Sequence, residues 1–180
     1  DSKYYLELQK TEDNEKYYQR DWNYLQFLKL SKINFEADKK HVVFVENLEL
    51  EALKYSTMSG ERMLFQANFF NRITYVPPRI PNRKQKIVIP RGYHDLDTYE
   101  VILPEGFMIE ALPSKNEIET RFGKYSLHVE QLSENTLRIT RSYLEKSGTF
   151  PAEDYSEYLQ FRKDIVRYDQ SKIILIKKSL

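Results

Sequence analysis

The sequence predicts a mainly β fold. An antiparallel, sandwich-like C-terminal domain over residues 81–180 carries one covering helix, and a smaller strand–helix–strand and hairpin region over residues 1–80 precedes it. Three observations predict this. Short alternating runs separated by turn residues recur roughly every 8–12 residues between 98 and 143. One later segment, 151–169, switches to helical spacing. Finally, the chain holds 14 Tyr and 10 Phe but only 5 Gly. That composition suits half-buried sheet faces rather than a glycine-cradled nucleotide site.

The elements follow in order. KYYLELQ (3–9) alternates, with Tyr4, Leu6 and Leu8 on one side, and reads as a half-buried strand. Acidic residues in TEDNE then suit a helix N-terminus. Tyr18, Trp22, Leu25 and Leu28 are spaced by three and four and predict a helix over 13–30. INFE (33–36), HVVFVE (41–46), LELEALKYS (48–56) and RMLFQANFF (62–70) are strand candidates, the last two joined by a turn at Ser59-Gly60-Glu61. Pro77, Pro78, Pro81 and Pro90 make 77–90 extended and irregular, with an edge strand at KIVI (86–89), and mark the domain boundary.

Beyond that segment, TYEVIL (98–103), FMIEAL (107–112), EIETRF (117–122), YSLHVEQL (125–132) and TLRITRSY (136–143) are strands. Tyr125, Leu127 and Val129 share a face; Leu137 and Ile139 point inward, Thr136, Arg138 and Thr140 outward. Pro151 fits the first turn of the 151–169 helix and Glu153 and Asp154 its positive end. Tyr155, Tyr158, Leu159, Ile165 and Val166 form its apolar stripe, leaving Asp154, Glu157, Lys163 and Asp164 to water. KIILIK (172–177) is the last strand.

Composition excludes several function classes. The absence of Cys removes disulfides, Cys-ligated zinc and thiol catalysis. No run approaches the roughly 18 apolar residues of a membrane helix. With 28 basic and 27 acidic residues the net charge is +1, which gives no footprint for nucleic acid. The one local basic excess, PPRIPNRKQK (77–86), reads as a solvated linker. The opening DSKYYLELQ, without Met or signal peptide, reads as a fragment or a processed N-terminus.

Chemistry has few footholds. The histidines are His41, His94 and His128. His94 with Asp95 and Asp97 in GYHDLD is the sharpest metal or acid–base candidate, but no third or fourth ligand is indicated, and we read it as a polar turn entering a strand. Glu105 and Glu110 flank a Pro-Glu-Gly turn, and Glu153 and Asp154 start a helix, so both carboxylate pairs have structural explanations. The chain holds no P-loop, GxGxxG or GxSxG. No catalytic, cofactor-binding or metal residue is therefore assigned, and no cofactor is expected. Tyr-rich faces leave a peptide- or glycan-binding module as the alternative.

Gly92, Tyr93, Asp95 and Asp97, then LPEGF (103–107), ALP (111–113), RFGKYSLHVE (121–130), LRITR (137–141), KSGTFPAEDYSEYLQFRKDI (146–165) and YDQSKIILIKK form a specific series. It resembles the C-terminal β-domain, of unknown function, of bacterial transglutaminase-like multidomain proteins with a papain-like core. Residues before 85, with SGERMLF (59–65), resemble the segment joining core to C-terminal domain more loosely. The family's catalytic Cys, His and Asp belong to the core, and no position here matches them. The resemblance implies a non-catalytic accessory role, the upstream core as partner, and export to the periplasm or cell surface of a Gram-negative bacterium. On this reading LPEGF and ALP punctuate strands.

Overall fold

A computed structural model describes residues 4–178, and the chain divides into two compact units, Asp1–Tyr55 and Ser56–Leu180. The first unit opens with a short 3-10 turn, Tyr4–Leu8, followed by α1 (Thr11–Asp21) and an antiparallel hairpin of β1 (Lys29–Asp38) and β2 (Val43–Glu51). Tyr18 is fully buried and donates its hydroxyl to the Glu46 carboxylate at 2.6 Å, joining helix to hairpin. Burial and that carboxylate both push the Tyr18 pKa above its ordinary value.

Three expectations fail in this unit. The strand expected over 3–9 is the 3-10 turn instead, and Lys3 lies outside the described residues. Leu6 is buried while Leu8 is 88% exposed, so the alternation does not define one face. The Leu6 carbonyl accepts from the Gln9 backbone and the Asn14 side chain, which closes the turn locally. The helix expected over 13–30 stops at Asp21, because Phe27 sits at φ 53° and Lys29 onward pairs with β2. A bulky side chain in left-handed backbone cannot continue a helix. Finally, the two runs read as 41–46 and 48–56 are one strand, since Leu48 to Glu51 continue the ladder to β1.

The second unit is built from antiparallel sheets and one main helix. Its strands are β3 (Thr57–Ser59), β4 (Arg62–Gln66), β5 (Ile87–Ile89), β6 (Tyr93–Ile102), β7 (Phe107–Ala111), β8 (Asn116–Thr120), β9 (Gly123–Ser133), β10 (Thr136–Glu145), β11 (Gly148–Phe150) and β12 (Lys172–Lys177). One four-stranded sheet runs β6-β10-β9-β8, a second β3-β4-β12-β7, and β5 pairs with β11. The turn at Ser59-Gly60-Glu61 forms as expected, with Gly60 at φ 60°, but it joins β4 to the short β3 rather than to the 48–56 run, whose first residues pair with β1. Gly106, at φ 78°, turns the chain in LPEGF between β6 and β7.

Alternation along the strands sets the core. Tyr125, Leu127 and Val129 of β9 and Leu137, Ile139 and Tyr143 of β10 are buried on one face; His128, Glu130 and Arg138 stand exposed on the other. A 3-10 turn at Ala152–Asp154 leads into α2 (Tyr155–Asp169), which lies on that buried face. Phe161 meets Tyr143 with ring centroids 6.3 Å apart, and Tyr158 meets Phe122 at 5.2 Å. The expected stripe is present, with Phe161 added to it. The units divide between Tyr55 and Ser56 rather than at residue 80. The reason lies in pairing: β4 bonds to β12, so residues 57–66 belong to the sheet that the chain's last strand completes.

Candidate functional site

The residues singled out in the sequence do not converge. His41 donates at Nδ1 to the Asp38 carboxylate at 2.6 Å in the exposed β1–β2 turn. His94 bonds Ser142 Oγ at 2.8 Å on the exposed face. His128 is exposed on β9. Glu110 is clamped by Arg62 through two bonds of 2.6 Å, and Glu105 is exposed in its turn. Asp154 pairs with Arg121 at 2.7 Å, while Glu153 is exposed beside it. No group of three or more His, Asp or Glu among the described residues is placed to hold a metal ion.

Asp97 is different. It points inward from β6 and is buried, as are Arg141 of β10 and Asp169, the last residue of α2. Arg141 Nη1 donates to Asp97 Oδ2 at 2.9 Å; its Nε and Nη2 donate to the two Asp169 oxygens at 2.7 and 3.2 Å. Asp169 also accepts from the Tyr125 hydroxyl at 2.9 Å, from Asn68 Nδ2 at 3.0 Å and from the Ile73 backbone N–H at 2.8 Å. Asn71 completes the cluster with a 2.5 Å bond to Asp97. Loop 68–73, three strands and the helix end meet here.

The electrostatics favour order, not reactivity. Burial opposes the Arg141 charge, but its bonds to Asp169 and Asp97 outweigh burial and hold the guanidinium pKa above its ordinary value. Burial, then the Asp169 charge, pushes the Tyr125 hydroxyl up, so it stays a donor. A carboxylate at a helix C-terminus is disfavoured by the helix dipole, and Arg141 offsets that cost at Asp169. With five donors on Asp169, no lone pair is left aimed at a substrate. Next to this cluster, burial holds the half-buried Asp95 above the usual carboxylate range, with Arg141 pulling the other way.

A second network sits farther along the same face. Arg162 of α2 donates to the Tyr143 hydroxyl at 3.1 Å and to Glu145 at 3.3 Å. Its Nε is buried without a hydrogen-bond partner. Burial raises the pKa of both Tyr143 and Tyr93 around it. Of the tyrosines, Tyr18, Tyr125, Tyr143 and Tyr155 are buried, Tyr5, Tyr75 and Tyr93 are exposed, and the others described are half-buried. One open cleft of about 480 Å3 lies between residues 79–83 and the start of α2, and a recess of about 460 Å3 borders Phe69, Phe70 and Tyr99.

Sheet order, helix placement and the hydrogen-bonded ion cluster define a class: an antiparallel β-domain closed by one helix, with paired charges in its interior. Residues 61–175 match the family described as a domain of unknown function of solved structure, DUF3858, and the chain belongs to it. That span lies within the second unit and starts at β4, well before the motif series becomes dense. No curated protein matches the chain. A similar solved structure is that of a "putative protease" from Parabacteroides distasonis, 18% identical over 57% of this chain and 23% of that one, with a TM-score of 0.45. The chain thus spans less than a quarter of that protein. A likeness of this degree carries neither fold nor activity across.

Proposed function

We propose that this chain is a non-catalytic portion of an exported bacterial transglutaminase-like protein, packing on an upstream catalytic core or presenting a surface to a partner. The observation that carries the reading is the fate of the buried charges. The most deeply buried charges among the described residues, Asp97–Arg141–Asp169, are saturated by their own hydrogen bonds and tie α2 to the sheet. The absence of Cys and the series from Gly92 to YDQSKIILIKK support it further.

The test has two arms. The purified chain should neither hydrolyse peptide substrates nor incorporate an amine into casein. Turnover that survives repurification and is lost in His94→Ala would overturn the reading. The reading frame upstream of Asp1 should encode a papain-like core with Cys, His and Asp; a frame that begins just before Asp1 would overturn it equally.

A further inference from the structure

The basic run RIPNRKQK is exposed along most of its length, and part of it borders a cleft. Residues 79–83 lie against the start of α2, and the cleft between them measures about 480 Å3. That falls within the roughly 300–1,000 Å3 of ordinary ligand clefts. Three cations line it, Arg79, Arg83 and Lys163, against one acid, Glu153.

Arg83 is fixed. Its Nε donates to the Gln85 carbonyl at 2.8 Å and one Nη to the Lys86 carbonyl at 3.1 Å, and the guanidinium lies 4.6 Å from the centre of the Tyr155 ring. Tyr155 is held in turn by donating to the Pro78 carbonyl at 2.6 Å. The fork therefore stands preorganised, which lowers the ordering cost of binding. Arg79 and Lys163 are exposed and bond to no carboxylate among the described residues. Elsewhere in this unit Arg62, Arg121, Arg138, Arg141, Arg162 and Arg167 each have one, whereas the exposed Arg91 does not. Beside the cations, the 41% exposed Ile80 supplies an apolar surface; Leu159, also in the lining, is only 7% exposed.

We propose that this cleft binds an extended acidic peptide segment of a partner protein. Carboxylates of the segment meet Arg79, Arg83 and Lys163, and an apolar side chain lies on Ile80. A small free anion would leave that surface uncovered. A neutral sugar would leave the cations unused, and the Tyr155 ring it would stack on is buried beneath Arg83. Nucleic acid needs a basic stripe that a chain of net charge +1 does not provide. The proposal stands on the cleft alone and does not depend on a transglutaminase-like parent.

Fluorescence anisotropy tests it with a fluorescein-labelled, amidated octapeptide of alternating glutamate and leucine, and the same peptide with glutamine for glutamate. The acidic peptide should bind about tenfold or more tightly than its neutral twin, and added salt should weaken it. Arg79→Ala and Lys163→Ala should each weaken binding about threefold to fivefold, and the double variant about tenfold. Their thermal midpoints should stay at the wild-type value, since both side chains are exposed. Equal affinity for the two peptides, no binding of either, wild-type affinity in the double variant, or displacement by millimolar inorganic phosphate would each overturn the proposal.

Discussion

Replacing Arg141 by Leu is the most demanding trial of the interior. The side chain is fully buried and makes three hydrogen bonds to two carboxylates. Leucine leaves Asp97, 8% exposed, and Asp169, 1% exposed, facing each other without a counter-ion. Removing one partner of a buried ionic network costs about 3–5 kcal/mol, because the remaining charge stays desolvated. A domain holds about 5–15 kcal/mol in total. With a urea m-value of about 2 kcal/mol/M, the unfolding midpoint should fall by about 1.5–2.5 M. Eight of the 14 tyrosines lie in this unit, so the Arg141→Leu change in the tyrosine near-UV circular dichroism is read against the lone Trp22, which lies in the other unit and serves as an internal control. Arg138→Leu is the matched comparison. That side chain points outward from the same strand to an exposed Glu100 at 2.9 Å, so its loss should leave the midpoint nearly unmoved. An Arg141→Leu midpoint within about 0.5 M of wild type, or an equal fall in Arg138→Leu, would refute the structural role of the cluster.

Other expectations can be checked on the same material. Leu159→Ala, on the buried stripe of α2, should cost about 2–5 kcal/mol in urea denaturation, whereas the exposed Lys163→Ala should leave the midpoint in place. Gly123→Ala should unfold at clearly lower temperature in calorimetry, because a Cβ there would collide with the Leu144 carbonyl oxygen of the paired strand; a wild-type melting temperature would mean that strand can give way. Asp95 has its folded pKa raised by burial, so its contribution is present below the ordinary carboxylate value of about 4 and is lost as pH rises through the raised one. Asp95→Asn should therefore match wild type in acid and unfold at higher urea near neutrality; a variant less stable at neutral pH would contradict this sign.

Much of the second unit was legible because its strands alternate cleanly. KIILIK became β12 at its expected bounds, and the parity of Tyr125, Leu127, Val129, Leu137 and Ile139 predicted the buried face. A period of two is a local signal, and sheet burial enforces it. The first unit was less legible. Trp22, Leu25 and Leu28 have helical spacing, yet the helix ends at Asp21 and all three serve the turn that leads into β1. Spacing cannot show that Lys29 will pair with Glu51 and take the backbone away from a helix. The placement of β12 between β4 and β7 was equally invisible, since strand order depends on partners distant in the chain.

The ion cluster lay between these limits, because its signals were present but had to be carried one step further. Counting by two from Leu137 and Ile139 reaches Arg141 before Tyr143, so a charged residue stands on a face otherwise reserved for apolar ones. Counting the same way backward from Val101 and Tyr99 reaches Asp97. On α2, the stripe through Ile165 and Val166 arrives at Asp169 three residues later. An arginine and two acids on three inward faces cannot each be buried alone, since an unpaired buried charge is too costly; the least costly solution brings them together. The same logic separates this cluster from the cleft. Inward parity forces Arg141 to find its carboxylates within the chain, whereas nothing in RIPNRKQK forces Arg79 to find one. A cation that folding leaves exposed and unpaired beside a helix start, with a neighbouring Arg83 already fixed in place, is available for an acid supplied from outside.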